Sequence, residues 1–291
     1  MNASQDIAFS IVLPVYNEGE NIDNSYRELV ACLDALGTGY EIIMVDDGST
    51  DDSWAKISAL AKNDRRIKAL SFRRNFGQTA AMAAGFDVAV GEVVIPLDAD
   101  LQNDPADIPK LLARLAEGYD VVSGWRRDRK DKLLLRKVPS LLANRLISRL
   151  TGVHLHDYGC TLKAYRREVL SRISLYGELH RFVPALASMV GAKVTEIPVN
   201  HRPRRAGVSK YGIDRTLRVI LDLVTVKFLL KYSVRPMQLF GRWGAWTFLA
   251  AGISGLTTLY MKFFEGLSMN RNPLLVLTAF LMFIAAAVSQ T

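Results

Sequence analysis

The sequence predicts an α/β fold, a mostly parallel, doubly wound sheet, followed by amphipathic helices and a transmembrane helical hairpin. Three observations support this prediction. Short apolar runs alternate with helical patterns over about the first 100 residues, as in parallel sheets. Several runs end in polar loops, as strands do at the ligand-binding edge of an open sheet. Two long apolar segments occupy the last quarter of the chain.

The strands and helices follow one another in order. Strands are predicted over Ala8–Val15, Glu41–Val45, Ile67–Phe72 and a run that begins at Val93. Helices are predicted over Asn21–Leu36, Asp52–Lys62 and Thr79–Val90. Pro14 is expected to end the first strand, because proline cannot donate to a sheet ladder.

The run from Val93 ends in two carboxylates, Asp98 and Asp100, with one small residue between them. Such a pair can hold Mg²⁺ or Mn²⁺ together with substrate phosphates and water. The alternative is a strand followed by an Asx turn, to which aspartate is equally suited. Neither a Gly-x-Gly-x-x-Gly fingerprint nor a phosphate-binding Gly-x-x-x-x-Gly-Lys loop is present. A nucleotide bound here would therefore be held by carboxylates, a metal and basic side chains.

The net charge of +8 predicts a negatively charged partner. Its basic residues concentrate in two clusters, within 126–137 and 202–218. A phosphorylated substrate or an anionic membrane fits them better than nucleic acid does, since no nucleic-acid recognition motif is present. Cys32 and Cys160 form no disulfide framework, and we expect both to be reduced and buried.

The C-terminal segments predict a helical hairpin in a membrane. Leu239–Tyr260 is apolar apart from Arg242 and carries two tryptophans at one end, which is typical of an interfacial belt. Pro273–Val288 is slightly short for a span, so the second arm is short or truncated. A buried core hairpin is the alternative. The predicted catalytic part, interface helices and spans cover residues 1–212, 213–238 and 239–291.

Several ordered motifs resemble the family 2 glycosyltransferases of GT-A fold. They are Leu13-Pro-Val-Tyr-Asn-Glu18, Val45-Asp-Asp-Gly-Ser-Thr50, Arg74-Asn-Phe-Gly-Gln78 and Leu97-Asp-Ala-Asp-Leu-Gln102. Three more, with the C-terminal spans, resemble the polyprenyl-phosphate glycosyltransferases. These are Asp157-Tyr-Gly-Cys160, Lys163-Ala-Tyr-Arg166 and Arg204-Arg-Ala-Gly-Val-Ser-Lys-Tyr211. That group includes dolichol-phosphate mannose synthases and bacterial enzymes that load sugars onto undecaprenyl phosphate. The resemblance covers roughly residues 8–290.

The resemblance implies a site for a nucleotide-sugar donor and a divalent cation, Mg²⁺ or Mn²⁺. The implied donor residues are Pro14, Tyr16, Glu18, Asp46, Asn75, Gly77, Asp98, Arg204 and Lys210. The implied metal ligands are Asp98, Asp100 and Gln102, all of which offer oxygen. Asp47 could equally be only a turn cap.

The resemblance also implies a site for the lipid phosphate of a polyprenyl-phosphate acceptor. Arg126 and Arg136 occupy the two basic positions that would bind it. Asp157, with Asp98 and Asp100, belongs to the implied catalytic set. Asp157 stands where the family is often assigned a base, but a phosphate with its second pKa near 6 is largely ionised already. It could instead position the sugar or a metal-bound water.

The implied reaction is inverting transfer of one sugar to polyprenyl phosphate at the cytoplasmic face of the inner membrane, for modification of envelope glycans. The expected protein is a multi-pass membrane enzyme with a cytoplasmic catalytic domain, and it could form a homo-oligomer. UDP is the expected carrier, with GDP as the alternative. Competing interpretations are an inactive membrane-anchored nucleotide-binding module and a processive polysaccharide synthase. The synthase motif Gln-x-x-Arg-Trp is not matched, since one residue too many separates Gln238 from Arg242.

Overall fold

The computed structural model describes residues 7–127, 147–149, 151–203, 224–228, 232, 235–269 and 272–289. The chain divides into two compact units, one ending at Val226 and the other starting at Lys227. The strands are β1 (Ile7–Val15), β2 (Gly39–Asp46), β3 (Ile67–Ser71), β4 (Val93–Pro96), β5 (Val121–Trp125), β6 (Lys163–Arg166) and β7 (Val194–Pro198). The helices of the first unit are α1 (Gly19–Asp34), α2 (Ser53–Asn63), α3 (Gln78–Val88), α4 (Ile108–Ala116), α5 (Arg167–Leu170) and α6 (Val183–Met189). Short 3₁₀ helices cover Pro105–Asp107 and Leu179–Arg181.

All seven of these strands form one sheet in the order β3-β2-β1-β4-β6-β5-β7. Strand β6 is antiparallel to both of its neighbours, and every other adjacent pair is parallel. The predicted mostly parallel α/β sheet is therefore confirmed, and its first four strands lie where the sequence placed them. The strands from β5 onward were not predicted.

The antiparallel strand β6 brings a distant segment to the edge where β4 and β5 end. In its ladders Tyr165 pairs with Val94 and Lys163 pairs with Ser123. Because β6 runs opposite to β4 and β5, its first residue lies beside their carboxyl ends. The segment that precedes β6 consequently reaches the loop that carries Asp98.

Apolar side chains alternate between the two faces of the sheet. One buried cluster contains Ile11 and Leu13 of β1 together with residues of α1, α2 and α4. The other contains Val12 of β1 with residues of α3, α5 and α6. This is the period-two pattern of a strand buried on both faces. Helices thus cover both faces of the sheet, as a doubly wound fold requires.

The first strand ends at Val15, as its predicted bounds required, so Pro14 lies one residue before the end of β1 and does not itself end it. The carbonyl of Val12 accepts from Leu97 N on the β4 side, and that of Val15 accepts from Asp47 N on the β2 side. The side to which the backbone groups point alternates along a strand, so the backbone nitrogen of Pro14 points toward β4. Strand β4 has already ended at Pro96. The proline therefore removes no ladder hydrogen bond.

The second unit is a hairpin of α7 (Met237–Phe264) and α8 (Pro273–Ser289). Ser254 Oγ donates to Leu274 O at 3.2 Å, and Thr278 Oγ1 donates to Ser254 Oγ at 2.9 Å, so hydroxyl groups join the two helices. The hairpin was predicted, and its two segments lie within these helices.

The expectation that this hairpin spans a membrane twice is not supported. Within the described ranges, no helix combines the length and the apolar character that crossing a bilayer needs. Helix α7 has 28 residues, but its glycine, serine and threonine residues lower its hydropathy. Helix α8 has 17 residues, or about 25 Å at 1.5 Å per residue, against a hydrocarbon core of about 30 Å. Most of the predicted interface segment, 213–238, lies outside the described residues.

Candidate active site

The loops after β1 and β2 are fastened to each other by side-chain hydrogen bonds. Asn17 N donates to Ser49 Oγ at 2.9 Å, and Thr50 N donates to Asn17 Oδ1 at 2.8 Å. Asn17 has a φ of +52°, a left-handed conformation that asparagine tolerates well. These bonds place the predicted donor residues Tyr16 and Glu18 beside the loop that follows Asp46.

Asp46 and Asp47 both serve as hydrogen-bond acceptors within neighbouring loops. Asp46 accepts from Ser49 N at 3.2 Å and from the Ser71 hydroxyl at 3.1 Å. Asp47 accepts from the backbone N–H groups of Phe76 (2.7 Å) and Gly77 (2.9 Å). Burial raises the pKa of Asp47 above its ordinary value, although those two bonds act in the opposite direction. Asp47 thus anchors the loop that carries the predicted donor residues Asn75 and Gly77.

The predicted acidic pair lies directly after β4 and is largely buried. The two oxygens of Asp98 accept from Gln78 Nε2 at 2.8 Å and from the Thr161 hydroxyl at 2.6 Å. Asp100 Oδ1 accepts from Gln102 N at 3.1 Å, across a tight turn in which Leu101 has a φ of +61°. Burial, followed by the neighbouring charge of Asp100, raises the pKa of Asp98 to about 6.

This acidic pair suits a cation, because two close carboxylates repel each other unless a positive charge lies between them. The predicted ligand set is two carboxylates and the Gln102 amide, a hard oxygen set of the kind that Mg²⁺ and Mn²⁺ bind. In the described part of the chain, no group of three or more His, Cys, Asp or Glu side chains could hold a metal. Among the described residues Gln102 is the third predicted ligand, and water or substrate phosphate would complete the shell of a bound ion.

Arg126, just after β5, forms a buried ion pair with Asp157. Its Nε donates to Asp157 Oδ2 at 2.7 Å, and its Nη2 donates to Asp157 Oδ1 at 3.0 Å. Asp157 Oδ1 also accepts from Gly159 N at 3.0 Å. These contacts fix the plane of the guanidinium and do not use Nη1. The sequence predicted both residues separately, and the structure brings them together from positions 31 residues apart.

Sequence reasoning assigned no role to three residues that support these charged groups: Gln78, Thr161 and Lys163. Gln78 and Lys163 stood only as members of two of the motifs. Lys163 is the first residue of β6, and its Nζ donates to Tyr158 O at 3.3 Å and to Cys160 O. Burial lowers the pKa of Lys163 to about 8. For Lys163 the sequence did offer a signal, because apolar residues flank this lysine on both sides.

A contact between Thr79 and His180, which was not predicted, ties the start of α3 to the 3₁₀ helix Leu179–Arg181. Thr79 Oγ1 lies 2.7 Å from His180 Nδ1. Burial lowers the pKa of His180 to about 3, so its ring is neutral near pH 7. This contact holds α3 in place one residue after Gln78. Three predicted binding residues, Arg136, Arg204 and Lys210, lie outside the described residues.

Comparison with known proteins gives consistent results over most of the chain. The model of the family described as Glycosyl transferase family 2 matches residues 10–174. The dodecaprenyl-phosphate galacturonate synthase of Rhizobium johnstonii is 41% identical, over 99% of this chain and 86% of its own length. The undecaprenyl-phosphate 4-deoxy-4-formamido-L-arabinose transferase of Pseudomonas paraeruginosa is 40% identical, over 94% of this chain and 79% of its own.

Among solved structures, glucosyl-3-phosphoglycerate synthase from Mycobacterium tuberculosis, in complex with Mn²⁺, UDP and phosphoglyceric acid, superposes with a TM-score of 0.60. It is 21% identical, and the match covers 76% of this chain and 78% of that one. This likeness confirms the GT-A type of sheet that the sequence predicted.

Proposed function

This chain belongs to glycosyl transferase family 2, and on that premise we propose that it transfers one sugar from a nucleotide-sugar donor to the phosphate of a polyprenyl phosphate. The names of the two relatives, 41% and 40% identical, support this reaction. The structural observation that carries it is the pairing of opposite charges at one sheet edge. A largely buried acidic pair follows β4, and the largely buried Arg126 follows β5. One group suits a cation with a diphosphate, and the other suits a phosphate.

On the donor side, Asp98, Asp100 and Gln102 would hold a divalent cation, Mg²⁺ or Mn²⁺. When bound, such an ion neutralises the nucleoside diphosphate that leaves the sugar. Gln78 and Thr161 each donate to one oxygen of Asp98, which fixes the orientation of that carboxylate before the donor arrives. A solved structural neighbour carries Mn²⁺ and UDP, which agrees with a UDP-sugar as donor.

On the acceptor side, Arg126 would bind the lipid phosphate, since a guanidinium offers paired donors to phosphate oxygens. Asp157 orients it through two hydrogen bonds. Because both oxygens of Asp157 accept from Arg126, and because the acceptor is largely ionised at neutral pH, we assign Asp157 a positioning role in preference to that of a base.

The reaction itself is a single displacement. An oxygen of the acceptor phosphate forms a bond to the anomeric carbon of the sugar while the bond from that carbon to the diphosphate oxygen breaks. Attack opposite the leaving group inverts the configuration. Positioning and charge neutralisation account for most of the rate enhancement in this scheme. The lipid acceptor places the reaction at a membrane surface, and we propose the cytoplasmic face and the modification of envelope glycans.

The experiment that tests this function is transfer from a panel of labelled UDP- and GDP-sugars to a short polyprenyl phosphate. It is run with Mg²⁺, with Mn²⁺ and with EDTA, and the Asp100→Ala variant is the control. We expect one lipid-linked monosaccharide, formed by the wild-type chain only when metal is present. A folded wild-type chain that binds UDP but labels no lipid with any donor would overturn the proposal. Full activity of Asp100→Ala in EDTA would overturn the metal assignment.

A further inference from the structure

We propose that Lys163 is a positioning residue for this transfer: its buried ammonium holds the segment Asp157–Thr161 in the conformation that aims Arg126 and Asp98. The inference rests on the proposed function, because it assigns Arg126 to the acceptor phosphate and Asp98 to the donor side. It concerns a residue that touches neither reactant and acts through the backbone of one segment.

The ammonium group of Lys163 lies inside the protein, against the backbone of this segment. Lys163 is 2% exposed, and its Nζ donates to the carbonyl oxygens of Tyr158 and Cys160. Those two carbonyls lie inside the segment, between Asp157 at one end and Thr161 at the other. A single charged group thereby joins the start of β6 to the loop that precedes it.

Both ends of the segment contact the site. At one end Asp157 holds Arg126 through its two oxygens. At the other end the Thr161 hydroxyl donates to Asp98 at 2.6 Å. The middle of the segment is also close to the guanidinium, since a Cβ added to Gly159 would lie 3.1 Å from Arg126 Nη2. A change in its backbone would therefore reach both charged groups.

Lys163 is a charged residue beside apolar neighbours. The next two residues of β6, Ala164 and Tyr165, are fully buried and uncharged. Burying an ammonium costs free energy unless partners compensate it. Burial has the largest effect and disfavours the charged form of Lys163, as does Arg126, whereas the carboxylates of Asp157 and Asp98 favour it. The free-energy cost of burying the Lys163 ammonium is consistent with a role in organising the site.

The test replaces Lys163 in the full-length chain. Lys163→Met keeps the length of the side chain and removes its donors, while Lys163→Gln keeps an amide donor and removes the charge. We measure kcat and KM for transfer, and the Kd of farnesyl phosphate and of UDP with Mg²⁺ by calorimetry. The melting temperature of each variant is measured on the same sample.

We expect Lys163→Met to raise the Kd of farnesyl phosphate and the acceptor KM by about tenfold or more, a factor equivalent to about 1.4 kcal/mol. UDP affinity should fall by less, because Gln78 still holds Asp98. Lys163→Gln should recover part of the loss. Asp157→Asn combined with Lys163→Met should cost little more than either alone, since both variants disturb one unit.

The matched control is Lys68→Met on β3. Lys68 also donates to a backbone carbonyl, Val88 O at 3.1 Å, and pairs with Glu41, at a position that the proposal leaves out of the site. The Lys68→Met variant should change the melting temperature and leave the Kd values of farnesyl phosphate and of UDP within about twofold of those of the wild type. Lys163 variants that bind farnesyl phosphate like the wild type would overturn the inference. So would failure of both variants to fold, which would make Lys163 a residue of the fold. Absence of transfer by the wild-type chain contradicts the proposed function instead.

Discussion

The carboxyl group of Asp98 is held by two neutral donors while a second carboxylate lies close by, and we expect this combination to make stability depend on pH. Burial and the charge of Asp100 raise the pKa of Asp98 to about 6 in the folded chain. In the unfolded chain the pKa of an aspartate is about 3.9. The folded state therefore binds this proton more tightly, and the free energy of unfolding falls as pH rises through about 6.

Replacing Asp98 with asparagine removes the free-energy cost of ionising this carboxyl group in the folded chain. We expect Asp98→Asn to raise the melting temperature at pH 8 in EDTA, with a smaller gain at pH 5, while abolishing transfer. Scanning calorimetry at the two pH values measures the difference.

Asp104→Asn is the matched control, with the opposite sign. Burial raises the pKa of Asp104, but hydrogen bonds from Asn200, the Ala106 backbone and Arg202 outweigh it and leave the pKa lowered. Its ionised form stabilises the fold above the unfolded pKa, so this variant should melt at a lower temperature at pH 8. A shift in the same direction for both variants would contradict the electrostatic explanation.

Arg126 and its neighbour Arg127 offer a second comparison between single residues. Arg126 is buried against Asp157, whereas Arg127 is exposed and lies over the Trp125 ring, 5.9 Å from its centroid. We expect Arg126→Ala to raise the acceptor KM by about tenfold to a hundredfold, the range of a lost charge-assisted pair of about 1.5–3 kcal/mol. Arg127→Ala should change it by about twofold at most. Steady-state kinetics with varied polyprenyl phosphate provide the test. A change confined to the donor KM would show that Arg126 binds the donor and not the acceptor phosphate.

At the scale of elements, the turn after β2 depends on Gly48. Its φ is +67°, and a Cβ there would lie 2.4 Å from the carbonyl carbon of Arg74 in the next loop. Gly37, three residues after the end of α1, has a φ of +66° but nothing within 4 Å of an added Cβ. Comparing the two glycines separates backbone strain from steric overlap between loops.

We expect Gly37→Ala to lower the free energy of unfolding by about 1–2 kcal/mol, the cost of a left-handed alanine. Gly48→Ala should cost more and should weaken UDP binding, because the Arg74–Gly77 loop must move. Urea titrations measure the first effect and calorimetry with UDP the second. Equal losses of unfolding free energy in the two variants would show that the Arg74–Gly77 loop can move away from position 48 at no cost in stability.

The elements also show how far the sequence could predict the fold. Strands β1 to β4 and helices α1 to α3 follow one another closely, so periodicity and turn residues locate them within a few residues of their observed ends. The acidic ends of β2 and β4 were likewise visible, because the residues directly after a strand are adjacent to it in the chain. Strands β5 to β7 are no shorter than β3 and β4, but the long segment between β5 and β6 interrupts the regular strand–helix alternation that located β1 to β4, so no local pattern identified them. The Asp157–Arg126 pair and the role of Lys163 depend on that same pairing.

At the scale of the whole molecule, the two compact units predict a separable first unit. Every described strand, and both apolar clusters of the sheet, lie before Val226. We expect a fragment that ends at Val226 to unfold cooperatively in urea and to bind UDP with Mg²⁺ with an affinity within about threefold of the full chain. Circular dichroism and calorimetry provide the measurements.

The control for this prediction is a fragment that ends at Gly152, which lacks β6 and β7. Without β6, strands β4 and β5 have no partner between them, so this fragment should show no cooperative transition. Cooperative unfolding of the shorter fragment, or loss of UDP binding in the longer one, would place the boundary elsewhere.

The late position of β6 in the chain also has a consequence for biosynthesis. Asp98 and Thr161 are 63 residues apart, and contacts at such separations form slowly. A ribosome adds about 5–20 residues per second, so the acidic pair emerges several seconds before the segment that completes its surroundings. During that interval the nascent chain holds carboxylates that could collect cations, but no assembled pocket for a nucleotide sugar. The enzyme therefore cannot consume its donor before β6 has been translated and has paired between β4 and β5.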